Sequence, residues 1–259
     1  MSEATTNPLR DLSSEEIRAL VAQSYAEALA DSQGSCCAPA CCEPPAATAA
    51  KVAGYDDELK RHADAGKSSF GCGNPLAFAD VQPGETVLDL GSGAGLDLLI
   101  AAERVGPDGK VIGVDMTDEM IEAARANARK AGYDQVEVRK GVIEDLPVED
   151  GSVDWVISNC VVNLSPEKER VFAEIQRVLK PGGHFSISDI VAEELSPMVR
   201  DFAAAYQACI AGAISETEYV QGLADAGLEQ VGVSERFVYE TEHLRGLVGA
   251  DLERAGGGT

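Results

Sequence analysis

The sequence predicts an α/β fold: a doubly wound, mostly parallel sheet with helices on both faces and a small C-terminal region beside it. Three observations carry this. From Glu85 onward, short apolar segments alternate with amphipathic helical ones, as in a parallel sheet covered on both sides. The first strand runs through a glycine-rich turn, Asp89-Leu90-Gly91-Ser92-Gly93-Ala94-Gly95, into a helix. A Gly106-Pro107-Asp108-Gly109 turn then returns the chain to the next strand.

The elements follow in order. Ser13 and Glu16 form a Ser-x-x-Glu capping box opening a helix to about Ala30. The tract Asp31 to Ala50 is rich in Ala, Pro and Cys without a period and reads as a mobile linker. A second helix is expected from Asp56 to Ala65. Thr86–Leu90 is the first strand, followed by a helix from Leu96 to about Val105 and the strand starting at Lys110. Thr117 is expected to cap a helix ending near Gly132. Strands follow at Val136–Lys140 and Asp154–Ser158, then a helix from Pro166 to Leu179 capped by Ser165, then the strand His184–Ile190. Beyond Ile190 the alternation lapses. Helices are expected from Ser196 to Ala211 and from Thr217 to Ala226, the second opened by a Ser215–Glu218 capping box, with a strand over Val231–Glu240. The organisation predicted is an N-terminal helix and Cys-rich linker (1–54), a ligand-binding α/β domain (55–190) and a C-terminal region (191–259).

A length of 259 residues with 45% hydrophobic content suits one folded domain with appendages. Forty-four acids against 21 bases give a net charge of -23. That charge repels phosphates and anionic lipid, which argues against nucleic acid, membrane surfaces and large polyanions as partners. It also self-repels at low ionic strength, a repulsion that a salty cytoplasm would screen. The expected result is a melting temperature that rises between low and high salt; a flat profile removes the salt reading. No apolar run is long enough to cross a bilayer, and the acidic N-terminus does not read as a secretory signal, so a cytoplasmic home is expected. Seven cysteines there point to chemistry rather than stapling.

Glycines let the backbone turn sharply and approach a ligand, and the following helix offers free N–H groups. A nicotinamide fingerprint, G-x-G-x-x-G, needs a third glycine where this chain has Leu96. Asp115 ends the second strand, twenty residues past Gly95, and an acid there accepts hydrogen bonds from both hydroxyls of a ribose. The Asp89-x-Gly91-x-Gly93-x-Gly95 pattern resembles the first motif of class I S-adenosylmethionine methyltransferases. That resemblance implies a Rossmann-like fold. It sets Gly91, Gly93 and Gly95 against the methionine and ribose portions, Asp89 near the amino group, and Ile143 and Glu144 near adenine. Met116 and Asn159 join this cofactor set. The segment Val178–Gly183, VLKPGG, is another common feature of such enzymes.

Three cysteines lie inside the folded part: Cys72, Cys160 and Cys209. Taken singly, a free cysteine reads as a small buried hydrophobe. Cys160 differs, because it sits just past the fourth strand, whose end faces the cofactor's reactive end in this fold. Asn159 and Cys160 therefore belong near the transferable methyl. The segments GCGNP with Cys72, ISNCVVNLSPEKERVF with Cys160, VLKPGGHFSISDIV and CIAGAIS with Cys209 resemble the arsenite methyltransferases of bacterial and archaeal type, over roughly Tyr55 to Gly227. The resemblance implies Cys160 and Cys209 as arsenic ligands, Cys72 as third ligand or redox partner, and a thiol such as glutathione or thioredoxin as reductant. Trivalent arsenic is soft and binds thiolates, and its lone pair can attack an electrophilic methyl.

Cys36, Cys37, Cys41 and Cys42 form two Cys-Cys pairs resembling a soft-metal clip. They could load arsenite, pair with Cys72 during turnover or bind zinc, or they could belong to a tail of no catalytic consequence. His62, His184 and His243 show no metal spacing. Two other readings stand beside the first. A C- or O-methyltransferase of a quinone-like or sterol-like metabolite would make the cysteines dispensable and favours more aromatics than the 5% present. A thiol protein that only sequesters soft metal would have no use for the glycine turn or Asp115.

Overall fold

The computed structural model describes residues 11–34, 55, 60–66, 68, 69, 71, 73–195, 197–200, 206 and 209–238. Helix α1 spans Ser14–Gly34. Its start is the expected capping box: Ser13 Oγ accepts from the Glu16 N–H, and the Ser13 N–H donates to the Glu16 carboxylate at 2.8 Å. Five strands follow, β1 (Thr86–Leu90), β2 (Lys110–Asp115), β3 (Val136–Lys140), β4 (Val153–Asn159) and β5 (Leu179–Ser188). All pair in parallel, in the order β3-β2-β1-β4-β5. Between them run α2 (Leu96–Val105), α3 (Asp118–Ala131) and α4 (Lys168–Val178), and α5 (Glu216–Asp225) closes the described helices.

Strand side chains alternate between faces, and both faces here are buried. Val87, Val111, Val138, Trp155 and Ile157 pack with α2 and α3 residues such as Leu99, Ile121 and Ala124. Leu88, Leu90, Ile112, Val114 and Val156 pack on the other face with Phe172 and Ile175 of α4 and Leu223 of α5. The sheet therefore winds both ways from the β1–β4 seam, where the strand order reverses and ligands bind in open α/β sheets.

Several local expectations are revised. Thr117 occupies the N-cap of α3 but makes no side-chain capping bond, whereas Gly132 ends that helix in the left-handed region as expected. Ser165 does not cap the fourth helix: its hydroxyl donates to Glu144 and accepts from the Glu167 N–H, so α4 starts at Lys168. Of the expected helix Ser196–Ala211, Pro197–Arg200 and Tyr206 are helical, Cys209–Ala211 are not, and the other residues lie outside those described. The Ser215–Glu218 capping box forms as read. Residues 231–238 form no strand; Phe237 and Val238 are exposed, and without a neighbouring ladder an extended segment has nothing to pair its backbone groups. The tract holding Cys36, Cys37, Cys41 and Cys42 lies outside the described residues, as does Cys72.

Candidate active site

A cavity opens at the carboxyl ends of β1, β2 and β4, on the β1–β4 seam. Its floor is the β1–α2 turn. Gly91 has φ 63°, and a Cβ there would fall 2.1 Å from Val161 Cγ2, so only glycine lets the turn pass under the Val161 side chain. The Gly93 N–H donates to Asp115 Oδ2 and the Thr117 N–H to Asp115 Oδ1, each at 2.9 Å. The second-strand acid is thus bolted to the glycine cradle, and each oxygen keeps a lone pair for a further donor. Burial pushes the Asp115 carboxyl up, and these N–H groups pull it back.

Asp89 lies at the end of β1, only 2% exposed, and its Oδ2 has no hydrogen-bond partner among the described residues. Burial, then the nearby Asp97 and Asp115 charges, hold its carboxyl well above the usual range. A buried carboxylate lacking a partner is costly, and a cationic group arriving in the cavity would satisfy it. Ser92 Oγ, also on the cavity wall, is likewise without a partner among the described residues. A ligand with an ammonium group and a ribose diol fits this donor and acceptor set.

Met116, Ile143 and Glu144 also line the cavity. Glu144 is buried, with Ser165 Oγ donating to its carboxylate at 2.6 Å and Arg18 at 3.2 Å. Asn159, at the end of β4, lines the cavity but commits its amide elsewhere. Its Oδ1 accepts from the Gly73 N–H at 3.1 Å, and its Nδ2 donates to Gly73 O at 2.8 Å and to Asp97 Oδ2 at 3.2 Å. Asp97 in turn accepts from the Tyr55 hydroxyl at 2.6 Å. Asn159 therefore clamps the loop bearing Gly71 and Gly73 onto β4. An added Cβ at Gly71 would strike Asn159, and one at Gly73 would strike Ser188.

Cys160 follows Asn159 and lines the cavity, 4% exposed and in a disulfide. Cys209 is a free, buried thiol, so that disulfide does not join the two. Cys209 does not line the cavity; it packs behind Cys160, its Sγ donating to the Cys160 carbonyl oxygen at 2.7 Å. Burial, then the Asp189 charge, push the Cys209 thiol far above its usual range. Among described non-glycine residues, left-handed φ occurs at Cys160 (60°), Cys209 (60°) and Gln230 (55°). Such backbone costs about 1 kcal/mol or more per residue and gathers at functional sites. Asn163 fixes the Cys209 side: its Nδ2 donates to Asp189 at 2.8 Å, to the Ile190 carbonyl at 2.6 Å and to the Cys209 carbonyl at 3.3 Å.

Sequence reasoning placed α1 in an N-terminal segment. In the structure Arg18, Val21 and Tyr25 line the same cavity, and Val21 shares one apolar cluster with Cys160 and Cys209. Arg18 pairs with Glu144 and, at 2.9 Å, with Glu167. Tyr55, Ser92, Asp97 and Asn163 were also missed; the buried Asp97 just after a Gly-rich turn was the available signal.

A family model described as a methyltransferase domain matches residues 82–227. An arsenite methyltransferase of Halobacterium salinarum is 44% identical over 91% of this chain and 63% of its own length. One from Aquipseudomonas alcaligenes is 42% identical over 59% of this chain and 46% of its own. The solved arsenic(III) S-adenosylmethionine methyltransferase of Chlamydomonas reinhardtii matches with a TM-score of 0.60 and 37% identity, covering 80% of this chain and 70% of that one. The parallel sheet and the methyltransferase-domain match, which spans the glycine cradle and Asp115, define the Rossmann-like class of S-adenosylmethionine-dependent methyltransferases. Within that class, the chain belongs to the arsenite methyltransferase family. It spans less than two thirds of the length of the curated relatives given above. Among the described residues no helix is long and apolar enough to cross a membrane.

Proposed function

We propose that this chain methylates trivalent arsenic held by cysteine thiolates, using S-adenosylmethionine. The observation that carries the reading is the juxtaposition at the cavity wall: Cys160 faces the cavity that holds Asp89 and Asp115, and the Cys209 sulfur lies against the Cys160 carbonyl. When bound, S-adenosylmethionine supplies an electrophilic methyl group. Asp89 receives the ammonium group, Asp115 the ribose hydroxyls, and Met116, Ile143 and Glu144 frame the adenine side. Arsenite is the substrate; Cys160 and Cys209 exchange hydroxides for sulfurs on arsenic, leaving its lone pair to attack. Cys72 is assigned the third sulfur or the redox partner, which the fixing of its neighbours Gly71 and Gly73 against Asn159 and Ser188 supports. The chain's main contribution is positioning, because soft sulfur ligands and a fixed cofactor bring the reacting atoms together.

Thiols serve as the reducing partner. Cys160 in a disulfide has no sulfur to offer arsenic until the bond is exchanged with a thiolate. Methylation also converts the lone pair into an As–C bond, oxidising arsenic formally to the pentavalent state. Two thiolates going to a disulfide return the two electrons. Glutathione or thioredoxin suits this, and a reducing cytoplasm is the setting that keeps such thiols available.

The test is to incubate the reduced protein with arsenite, S-adenosylmethionine and glutathione and to resolve the arsenic species by chromatography with mass-spectrometric detection. Methylated arsenicals are the expected product. Their absence, with cofactor binding intact, overturns the reading.

A further inference from the structure

Helix α1 brings one polar side chain to the sulfur of Cys209. The Tyr25 hydroxyl lies 3.9 Å from Cys209 Sγ, and Tyr25 also lines the cavity beside Asp115 and Cys160. The residue is held there. Arg18, two turns earlier, is tied to Glu144 and Glu167, and Tyr25 packs against the apolar cluster that contains Val21, Cys160 and Cys209.

The Cys209 thiol has a proton to lose when sulfur bonds to arsenic. Its S–H donates to the Cys160 carbonyl oxygen at 2.7 Å, yet soft-metal bonding uses the thiolate. The neighbouring groups differ in their ability to carry the proton. The Cys160 carbonyl already accepts the S–H and is a poor base. The Asp189 carboxylate accepts from the Asn163 N–H and amide, the Ile190 N–H and the Tyr219 hydroxyl. Lys168 donates to the carbonyls of Asn163 and Ser165. A tyrosine hydroxyl both donates and accepts, and Tyr25 reaches the sulfur from the wall of the cavity.

We propose that Tyr25 is a further catalytic residue, its hydroxyl relaying the Cys209 proton to the hydroxide that leaves arsenic as the As–S bond forms. This rests on the arsenite reading above. In the step, the Cys209 S–H and an As–OH bond break, and an S–As bond and the second O–H bond of water form. Tyr25 gives its proton to the departing hydroxide and takes the one from sulfur, ending unchanged. No oxidant or reductant is needed.

Loading is followed by mixing the reduced full-length chain with sodium arsenite in a stopped-flow instrument and recording the ultraviolet absorbance of arsenic–thiolate bonds. The wild type is expected to load with a solvent deuterium isotope effect. Tyr25→Phe keeps the ring and removes the hydroxyl; its loading rate is expected to fall about tenfold or more, as for loss of a proton-transfer group. The isotope effect should shrink, and affinity for S-adenosylhomocysteine should stay within about threefold, as expected when a contact outside the cofactor's own hydrogen bonds is removed. Loading by Tyr25→Phe at the wild-type rate overturns the proposal. So does a slowed rate with unchanged isotope effect and lost cofactor affinity, the mark of a merely structural role. A wild type that loads without an isotope effect overturns it with no variant at all. If the wild type binds no arsenite, the functional reading falls as well; if it methylates arsenite while Tyr25→Phe loads normally, only the relay falls.

Discussion

Cys209→Ser is expected to lower arsenite methylation roughly hundredfold or more, the scale set by losing a positioned reacting partner, with the fold and cofactor binding retained. The reason lies in what serine keeps and what it loses. The Cys209 Sγ donates to the Cys160 carbonyl at 2.7 Å, and a serine hydroxyl donates at least as well. The left-handed backbone at 209 and the Asn163 amide on its carbonyl do not depend on the side chain. What disappears is the soft donor: a neutral hydroxyl is a hard and weak ligand for trivalent arsenic. Production of methylarsenicals, affinity for S-adenosylhomocysteine and melting temperature should be measured on the same preparation. Loss of the first with the other two preserved is the expected pattern. Activity within tenfold of wild type would remove Cys209 from the arsenic site.

The parts of this molecule that were legible in its sequence are those governed by neighbours in the chain. Val87-Leu88 and Leu90 in β1, or Val111-Ile112 and Val114 in β2, read as continuous apolar runs because both faces of the sheet are covered. The capping boxes at Ser13 and Ser215 formed because their partners stand three residues away. Gly91, Gly93 and Gly95 were legible because each has a positive φ, which the residue type itself announces.

The rest depends on partners distant in sequence. Arg18 meets Glu144 across 126 positions, Tyr55 meets Asp97 across 42, and Tyr25 meets Cys209 across 184. No local period marks such pairs. Ser165 shows how a distant partner overrides a local rule: it has the residue type of an N-cap, but the buried Glu144 carboxylate takes its hydroxyl and the helix begins later. Cys160 and Cys209 combine both cases. Their flanking segments carry the family resemblance, but their left-handed backbone and their contact with each other emerge only from the fold.

Asp115→Ala is expected to cost cofactor affinity on the order of a hundredfold or more, while arsenite still binds the cysteines. Two losses add. The variant removes the acceptor for the ribose hydroxyls assigned to it, and a hydrogen bond to a charged group is worth about 1.5–3 kcal/mol. It also frees the Gly93 and Thr117 N–H groups, each now held at 2.9 Å, so the glycine cradle loses the tie that aligns it with the end of β2. Asp115→Asn separates the two contributions. An amide keeps one acceptor oxygen, enough to hold either the Gly93 N–H or a ribose hydroxyl but without the charge, so its affinity should fall between the other two. Calorimetric titration with S-adenosylhomocysteine gives the order, and arsenic–thiolate absorbance shows whether the sulfur site survives. If Asp115→Ala and the wild type bind the nucleoside alike, the cradle at Gly91 to Gly95 would have to hold it without its second-strand acid, and the ribose assignment would fail. If affinity drops and arsenite binding drops with it, the two halves of the cavity fold as one unit. That outcome has a physical route in this chain, because Met116, next to Asp115, packs against the cluster that contains Cys160 and Cys209.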